Sequence, residues 1–181
     1  MPAHLVPTLA GRLHLPDVHA FCRRIEGADG EALFESLFRL VDHADERVGY
    51  NVLWIFSHLR APADRRLQAK RDAFVDRLLA TRHAGRRRLL LALLLRLPAP
   101  PAERLRTDLI DFCFDGILST EPYAIRAQCL KLGFTLCRPY PELLQELQVT
   151  VECMQSGPLS PALAAARRQV LARIARLRRT H

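Results

Sequence analysis

A set of apolar positions recurs along this chain at a spacing that fits a stack of helix pairs. Within Glu121 to Cys137, the residues Ile125, Cys129, Leu132 and Leu136 stand at i, i+4, i+7 and i+11, the register of one buried helical face. Val48, Val52, Ile55 and Leu59 repeat that register, and so do Leu90, Leu93 and Leu97 with Arg86 in the first seat. First seats lie 38 residues apart from Val48 to Arg86 and 39 apart from Arg86 to Ile125, a period typical of two-helix repeats. A fourth copy, Ala166, Val170, Ile174 and Leu177, is one residue out of register at its third seat, as a terminal repeat tends to be. A plain antiparallel bundle has no need of such a period.

Between the seats the chain divides into pairs. Helices are predicted over Glu31 to Asp42 and from Val48 to Leu59, over Asp64 to Ala80 and Ala84 to Leu97, over Ala102 to Ser119 and Glu121 to Cys137, and over Glu142 to Gln155 and Pro161 to Arg178. Pro98, Pro100 and Pro101 end the second pair. Ahead of the pairs, Val18, Phe21, Cys22 and Ile25 form one short face, capped by Asp17 and closed by Gly27, which suits an end-capping helix. Residues 1–15 show no period and are expected to be an extended arm, with residues 16–181 forming a single domain. No stretch alternates with period two long enough for a strand, so the fold class is all-α, about four helix pairs plus the capping helix.

With 49% hydrophobic residues in 181, the chain can bury a substantial core. Its longest apolar run, Leu89 to Leu95, is closed by Arg96 and falls far short of the roughly 20 residues that a membrane span requires. The first residues carry no cationic cluster and are interrupted by Pro2 and Pro7, so no signal peptide and no membrane insertion are expected, and the cytoplasm is the expected compartment. Cys22, Cys113, Cys129, Cys137 and Cys153 form no Cys-x-x-Cys pair and mostly sit on apolar faces, which reads as packing thiols rather than a metal site.

The period, the paired helices and the Ile-Arg-x-x-Cys-x-x-Leu core at 125–132 resemble HEAT and armadillo-type repeat proteins over roughly residues 30–178. The stretch from Ile125 to Cys137, followed by Arg-Pro-Tyr-Pro-Glu-Leu-Leu at 138–144, is also similar to small bacterial helical-repeat proteins of uncharacterised activity. The resemblance implies a right-handed α-α superhelix whose second helices line a concave surface. The Asp that marks the turn before the second helix in HEAT proteins has a counterpart at Asp45 alone. The Arg of the second helix is clear at Arg126, with Arg47 one seat early.

Function is sought in the charges. The net charge is +8, and two windows contain no acidic residue: 77–102, with Arg77, Arg82, Arg86, Arg87, Arg88 and Arg96, and 153–181, with Arg167, Arg168, Arg173, Arg176, Arg178 and Arg179. The second helices sum to positive charge and the first helices to negative, so the concave surface that the resemblance implies would be basic and would attract an anionic partner. Arg176, Arg178 and Arg179 are accounted for by the dipole at a helix C-terminus, whereas Arg86, Arg87 and Arg88 stand at a helix N-terminus, where that dipole disfavours cations. The groove candidates are Arg86, Arg87, Arg88, Arg126, Lys131, Arg167, Arg168 and Arg173.

The preferred reading is a non-enzymatic interaction module whose basic groove holds an acidic protein segment. A nucleic-acid binder of DNA-repair type, using the same arginines on phosphates, is the alternative, although few aromatics interleave with the arginines. No Gly-rich phosphate loop, nucleophile elbow, His-Glu-x-x-His or paired-carboxylate motif occurs, so no catalytic residue, cofactor, metal or small-molecule substrate is expected. His14, His19, His58 and Trp54 read as surface or packing residues. On this facing of the helices, Leu93→Asp should unfold the stack and Arg87→Glu should leave the melting temperature nearly unchanged.

Overall fold

A computed structural model describes residues 3–28, 30–60, 64–154 and 160–179. The described residues are all-α: α1 (Val6–Ala10), α2 (Leu15–Glu26), α3 (Gly30–Arg39), α4 (Glu46–His58), α5 (Asp64–Ala69), α6 (Arg71–Ala80), α7 (Ala84–Arg96), α8 (Thr107–Leu118), α9 (Tyr123–Cys137), α10 (Pro141–Glu152) and α11 (Pro161–Arg179). Apart from Arg86 and Leu177, which are half-buried, the seats predicted from the period are core positions. Val48, Val52, Ile55 and Leu59 are buried, as are Leu90, Leu93 and Leu97, then Ile125, Cys129, Leu132 and Leu136, then Ala166, Val170 and Ile174. The chain divides into two compact units, Met1–Phe74 and Val75–His181.

In the first unit α2 packs against α3 and α4, and α1 packs against α4. Its centre is aromatic: Phe34 stacks on Phe56 at 4.9 Å between ring centroids, and Phe74 meets Phe38 and Phe56 edge-on at 5.6 and 6.3 Å. Residues 3–15 are not an extended arm. A 3-10 turn at Ala3–Leu5 leads into α1, and Leu5, Leu9 and Leu13 are all buried. Asn51 explains the docking: itself only 5% exposed, it donates from Nδ2 to the carbonyls of Leu9 at 2.8 Å and Gly11 at 3.2 Å. Those carbonyls end α1, where no intrahelical donor remains, so a buried amide from α4 supplies what water would otherwise supply. Met1 and Pro2 lie outside the described residues.

Two further expectations shift. Asp17 is not the cap of α2 but the reciprocal partner in a capping box, its Oδ2 accepting from the backbone N–H of His14 at 2.8 Å while His14 takes the cap position. The single helix predicted from Asp64 to Ala80 breaks at Lys70, whose N–H closes a turn onto the Leu67 carbonyl at 3.1 Å. The Lys70 ammonium is drawn instead onto α3, 2.8 Å from Glu35 and 4.7 Å from the Phe38 ring centre.

The second unit has two layers. Here α9 packs against α7 on one side and α11 on the other, giving a layer of second helices, while α8 and α10 pack on each other and against α9 as the layer of first helices. Gly116 of α8 allows a close approach between layers, since a Cβ there would lie 2.6 Å from Cys129 Sγ. The helix predicted from Ala102 begins only at Thr107. Arg106 turns the chain by binding Asp108 through two hydrogen bonds, at 2.9 and 2.6 Å, and Asp76 at 2.9 Å. These hydrogen bonds hold the Arg106 guanidinium well above its ordinary pKa and the Asp108 carboxyl below its own.

Candidate functional site

In the second unit, charge is sorted by layer. Helices α7, α9 and α11 contain arginines and one lysine and no acidic residue, whereas α8 and α10 carry Asp108, Asp111, Asp115, Glu142, Glu146 and Glu152 and no basic residue. All the groove candidates belong to the basic layer, but the structure gives them two different roles.

Three of them are internal. Arg87 donates from Nε to the carbonyl of Thr81 at 2.8 Å, Arg126 to that of Ile117 at 3.1 Å, and Arg167 to that of Val151 at 3.0 Å. Each acceptor lies at the C-terminal end of the preceding helix, α6, α8 or α10. Carbonyls there lack intrahelical donors and carry the negative end of the helix dipole, so a guanidinium satisfies both. Arg87 makes two further contacts: it also pairs with Glu121, the two side chains being 19% and 26% exposed, and its guanidinium carbon stands 5.7 Å from the Phe112 ring centre. Arg87, Arg126 and Arg167 thus fasten each second helix to the helix before it, and Arg87 is not a solvated surface residue as expected.

These arginines follow the first seats Arg86, Ile125 and Ala166 by one position, so the same contact is made at the same point of successive pairs. The turns before α4, α7 and α11 are also capped, whereas α9 starts after Pro122 without a side-chain cap: Asp45 accepts from the Arg47 N–H at 2.9 Å, His83 from the Arg86 N–H at 3.2 Å, and Ser160 from the Leu163 N–H at 3.3 Å. A family profile described as a HEAT repeat domain matches residues 5–174. The chain is a HEAT repeat protein. No curated protein and no solved structure matches it. The HEAT features expected at Asp45 and Arg126 alone are therefore more widespread than their residue identities suggest: His83 and Ser160 do the capping of Asp45, and Arg87 and Arg167 do the work of Arg126.

The other candidates lie outward on these HEAT helices. Arg88, Lys131, Arg168 and Arg173 are exposed and Arg86 is half-buried. Arg173 stands over Phe134, 5.7 Å from the ring centre. It shares a pocket of about 320 Å³ with Arg138, Arg176 and Leu177 above that ring. Arg138 and Leu177 also line a second pocket of about 620 Å³, with Pro139, Pro141, Leu144, Gln145 and Arg178. No carboxylate belongs to the described lining of either pocket. Arg138, Arg176 and Arg178 were not among the candidates. Their signal in the sequence is weak, because Arg138 falls between helices and the other two are already explained by the dipole of α11.

In the first unit His19 and His58 face each other at 5.9 Å across a pocket of about 210 Å³ that also holds Cys22, Arg23, Glu26 and Arg60. His58 Nδ1 lies 3.0 Å from the Trp54 carbonyl, and Glu26 accepts from the Arg60 N–H at 2.9 Å, so both are used in closing the ends of α4 and α2. Cys22, Cys113, Cys129 and Cys137 are buried thiols, as packing residues should be, and Cys153 is exposed. A hydrogen bond to Cys129 and burial raise the Cys113 pKa well above the ordinary thiol value, and burial pushes Cys137 up to about 12. This is opposite to the shift that activates a nucleophilic cysteine.

Proposed function

We propose that this protein is a non-catalytic interaction module that holds an acidic protein segment on the basic layer α7, α9 and α11. HEAT repeats are in general protein-interaction scaffolds. The observation that carries the proposal is the sorting of charge by layer, basic on the second helices and acidic on α8 and α10. A surface of one sign concentrates field and draws in a segment of the other sign. Arg87, Arg126 and Arg167 bind helix ends, and we assign the contact to Arg86, Arg88, Lys131, Arg168 and Arg173 on the same helices, joined by Arg138, Arg176 and Arg178 at the two pockets. The raised thiols favour a structural rather than a catalytic role for the cysteines, and their reduced state suits the cytoplasm.

A protein segment is favoured over nucleic acid by the rings beside the arginines. Phe134 is only 6% exposed and Phe112 lies under Arg87, so neither offers a face on which a base could stack. The test is fluorescence anisotropy with a labelled Glu-rich peptide, a neutral peptide of equal length, and labelled duplex and single-stranded DNA, over a series of salt concentrations. The Glu-rich peptide should bind and the neutral one should not, with Arg88→Glu and Arg168→Glu each weakening binding. DNA bound more tightly than the peptide at every salt concentration would replace this reading with the nucleic-acid one.

A further inference from the structure

We infer that the two pockets at the α9, α10 and α11 end of the second unit form one composite site, which selects an acidic protein segment by an apolar side chain set among its carboxylates. This rests on the reading that the basic layer holds an acidic segment, and it names where and by what feature the segment is recognised. The larger pocket is of a size usual for a ligand side chain and its backbone. Its walls are apolar, with Pro139, Pro141, Leu144 and Leu177, and its polar edge is made by Arg138 and Arg178. The smaller pocket is polar, a cluster of guanidiniums over Phe134. Because Arg138 and Leu177 belong to both, an apolar side chain in one and a carboxylate in the other would come from neighbouring residues of a single segment.

Each part would be insufficient alone. Exposed arginines attract any polyanion and bind it weakly, since surface ion pairs are screened and contribute little. An apolar slot alone would take any exposed hydrophobic side chain. Joined, they demand both features in the correct order, and the slot then confers the affinity while the arginines confer the orientation. Arg173 is held at its place by the Phe134 ring, which reduces the freedom it must lose when a carboxylate binds. Arg138 sits in the turn between α9 and α10, next to Pro139, where φ of the following residue is fixed.

The probe is a short fluorescein-labelled peptide of Glu and Ser with one central Phe, compared with the same peptide carrying Ser in place of Phe, both titrated with the full chain. The Phe peptide should bind roughly tenfold more tightly or better, the gain expected from burying one aromatic side chain. Arg138→Glu should weaken both peptides, whereas Gln145→Trp, at an exposed wall of the slot, should abolish the advantage of Phe and leave the Ser peptide unaffected. Both changes are at exposed positions, and unaltered melting curves would establish that the fold persists. If both peptides bind equally, or if Arg138→Glu has no effect while Arg88→Glu does, the composite site is refuted and the general acidic-segment reading stands. If neither peptide binds, the general reading is itself overturned.

Discussion

Replacing Arg87 by Met isolates the contact that most contradicts a purely electrostatic view of the basic layer. Met keeps the aliphatic stem that crosses Phe112 and removes the guanidinium, so three interactions are lost: the bond to the Thr81 carbonyl, the pair with Glu121, and the approach to the ring. A charged hydrogen bond to a half-buried carbonyl contributes about 1.5–3 kcal/mol. The Glu121 pair is more exposed and partly screened, and adds about 0.5–1 kcal/mol. Allowing for water reaching the vacated carbonyl, Arg87→Met should cost about 2–3 kcal/mol, and a chain of this length loses about 2–4 °C of melting temperature per kcal/mol. A fall of roughly 5–10 °C is expected.

Thermal melts followed by circular dichroism, with Lys131→Met as the exposed control, give the comparison directly; the control should stay within about 0.5 kcal/mol of the parent chain. A double-mutant cycle with Glu121→Gln separates the pair from the carbonyl bond, and only the coupling to Glu121 should shrink when salt is raised. Arg87→Glu should be worse than Arg87→Met, because a second carboxylate then faces Glu121. Parent-like stability of Arg87→Met would refute the claim that this arginine fastens α7 to the end of α6, and would return it to the surface role suggested by sequence.

Three other changes probe separate joints. Gly116→Ala should destabilise by about 1–3 kcal/mol because its methyl meets Cys129, and Cys129→Ala should rescue part of that loss; Gly133→Ala, whose nearest neighbours would be 3.5 and 3.6 Å away, should be neutral or stabilising by up to about 1 kcal/mol through helix propensity. Asn51→Ala should cost about 1–3 kcal/mol and raise amide hydrogen exchange around α1, where unchanged exchange would show that Leu9 and not Asn51 holds that helix down. The Cys137 thiol, with a folded-state pKa of about 12 above its unfolded value, contributes stability below the ordinary thiol pKa that is lost as pH rises through about 9 towards 12, so the urea midpoint should fall with alkali less steeply in Cys137→Ala than in the parent.

What the sequence makes legible is whatever repeats. Seats such as Ile125, Cys129, Leu132 and Leu136 are bound to a helical period, and burial of one face follows from that period without any knowledge of the partner face. Contacts made once are invisible to it. Asn51 occupies α4 beside Val52 and has no reason, in sequence, to find the end of α1, whose own buried residue is Leu9 and which Pro7 and the nearby Pro2 disguise. The breaks at Lys70 and Arg106 have the same origin, since Glu35 and Asp76 each lie at least 30 residues away. The pockets around Arg138 depend on how α10 and α11 meet beside the end of α9, which no spacing along one helix encodes.

The arginine pairs show how a period could have divided structure from function. Successive residues of a helix point about 100° apart, so two neighbouring arginines cannot serve the same side. In Arg87-Arg88 and Arg167-Arg168, the first of each pair follows the first seat and turns to the preceding helix end, and the second is exposed. In α9 the corresponding pair is Arg126-Ala127, where Arg126 again reaches the preceding helix end, Ala127 is buried, and the exposed charge comes from Lys131. The first position therefore carries Arg in all three helices, as expected if the geometry of the preceding helix end fixes it. Arg167→Met and Arg168→Met should then separate the two properties within a single turn of helix. The first should lower stability by about 1.5–2 kcal/mol, the second should leave melting unchanged and weaken the Glu-rich peptide, and the reverse pattern would show the facing of α11 to be wrong.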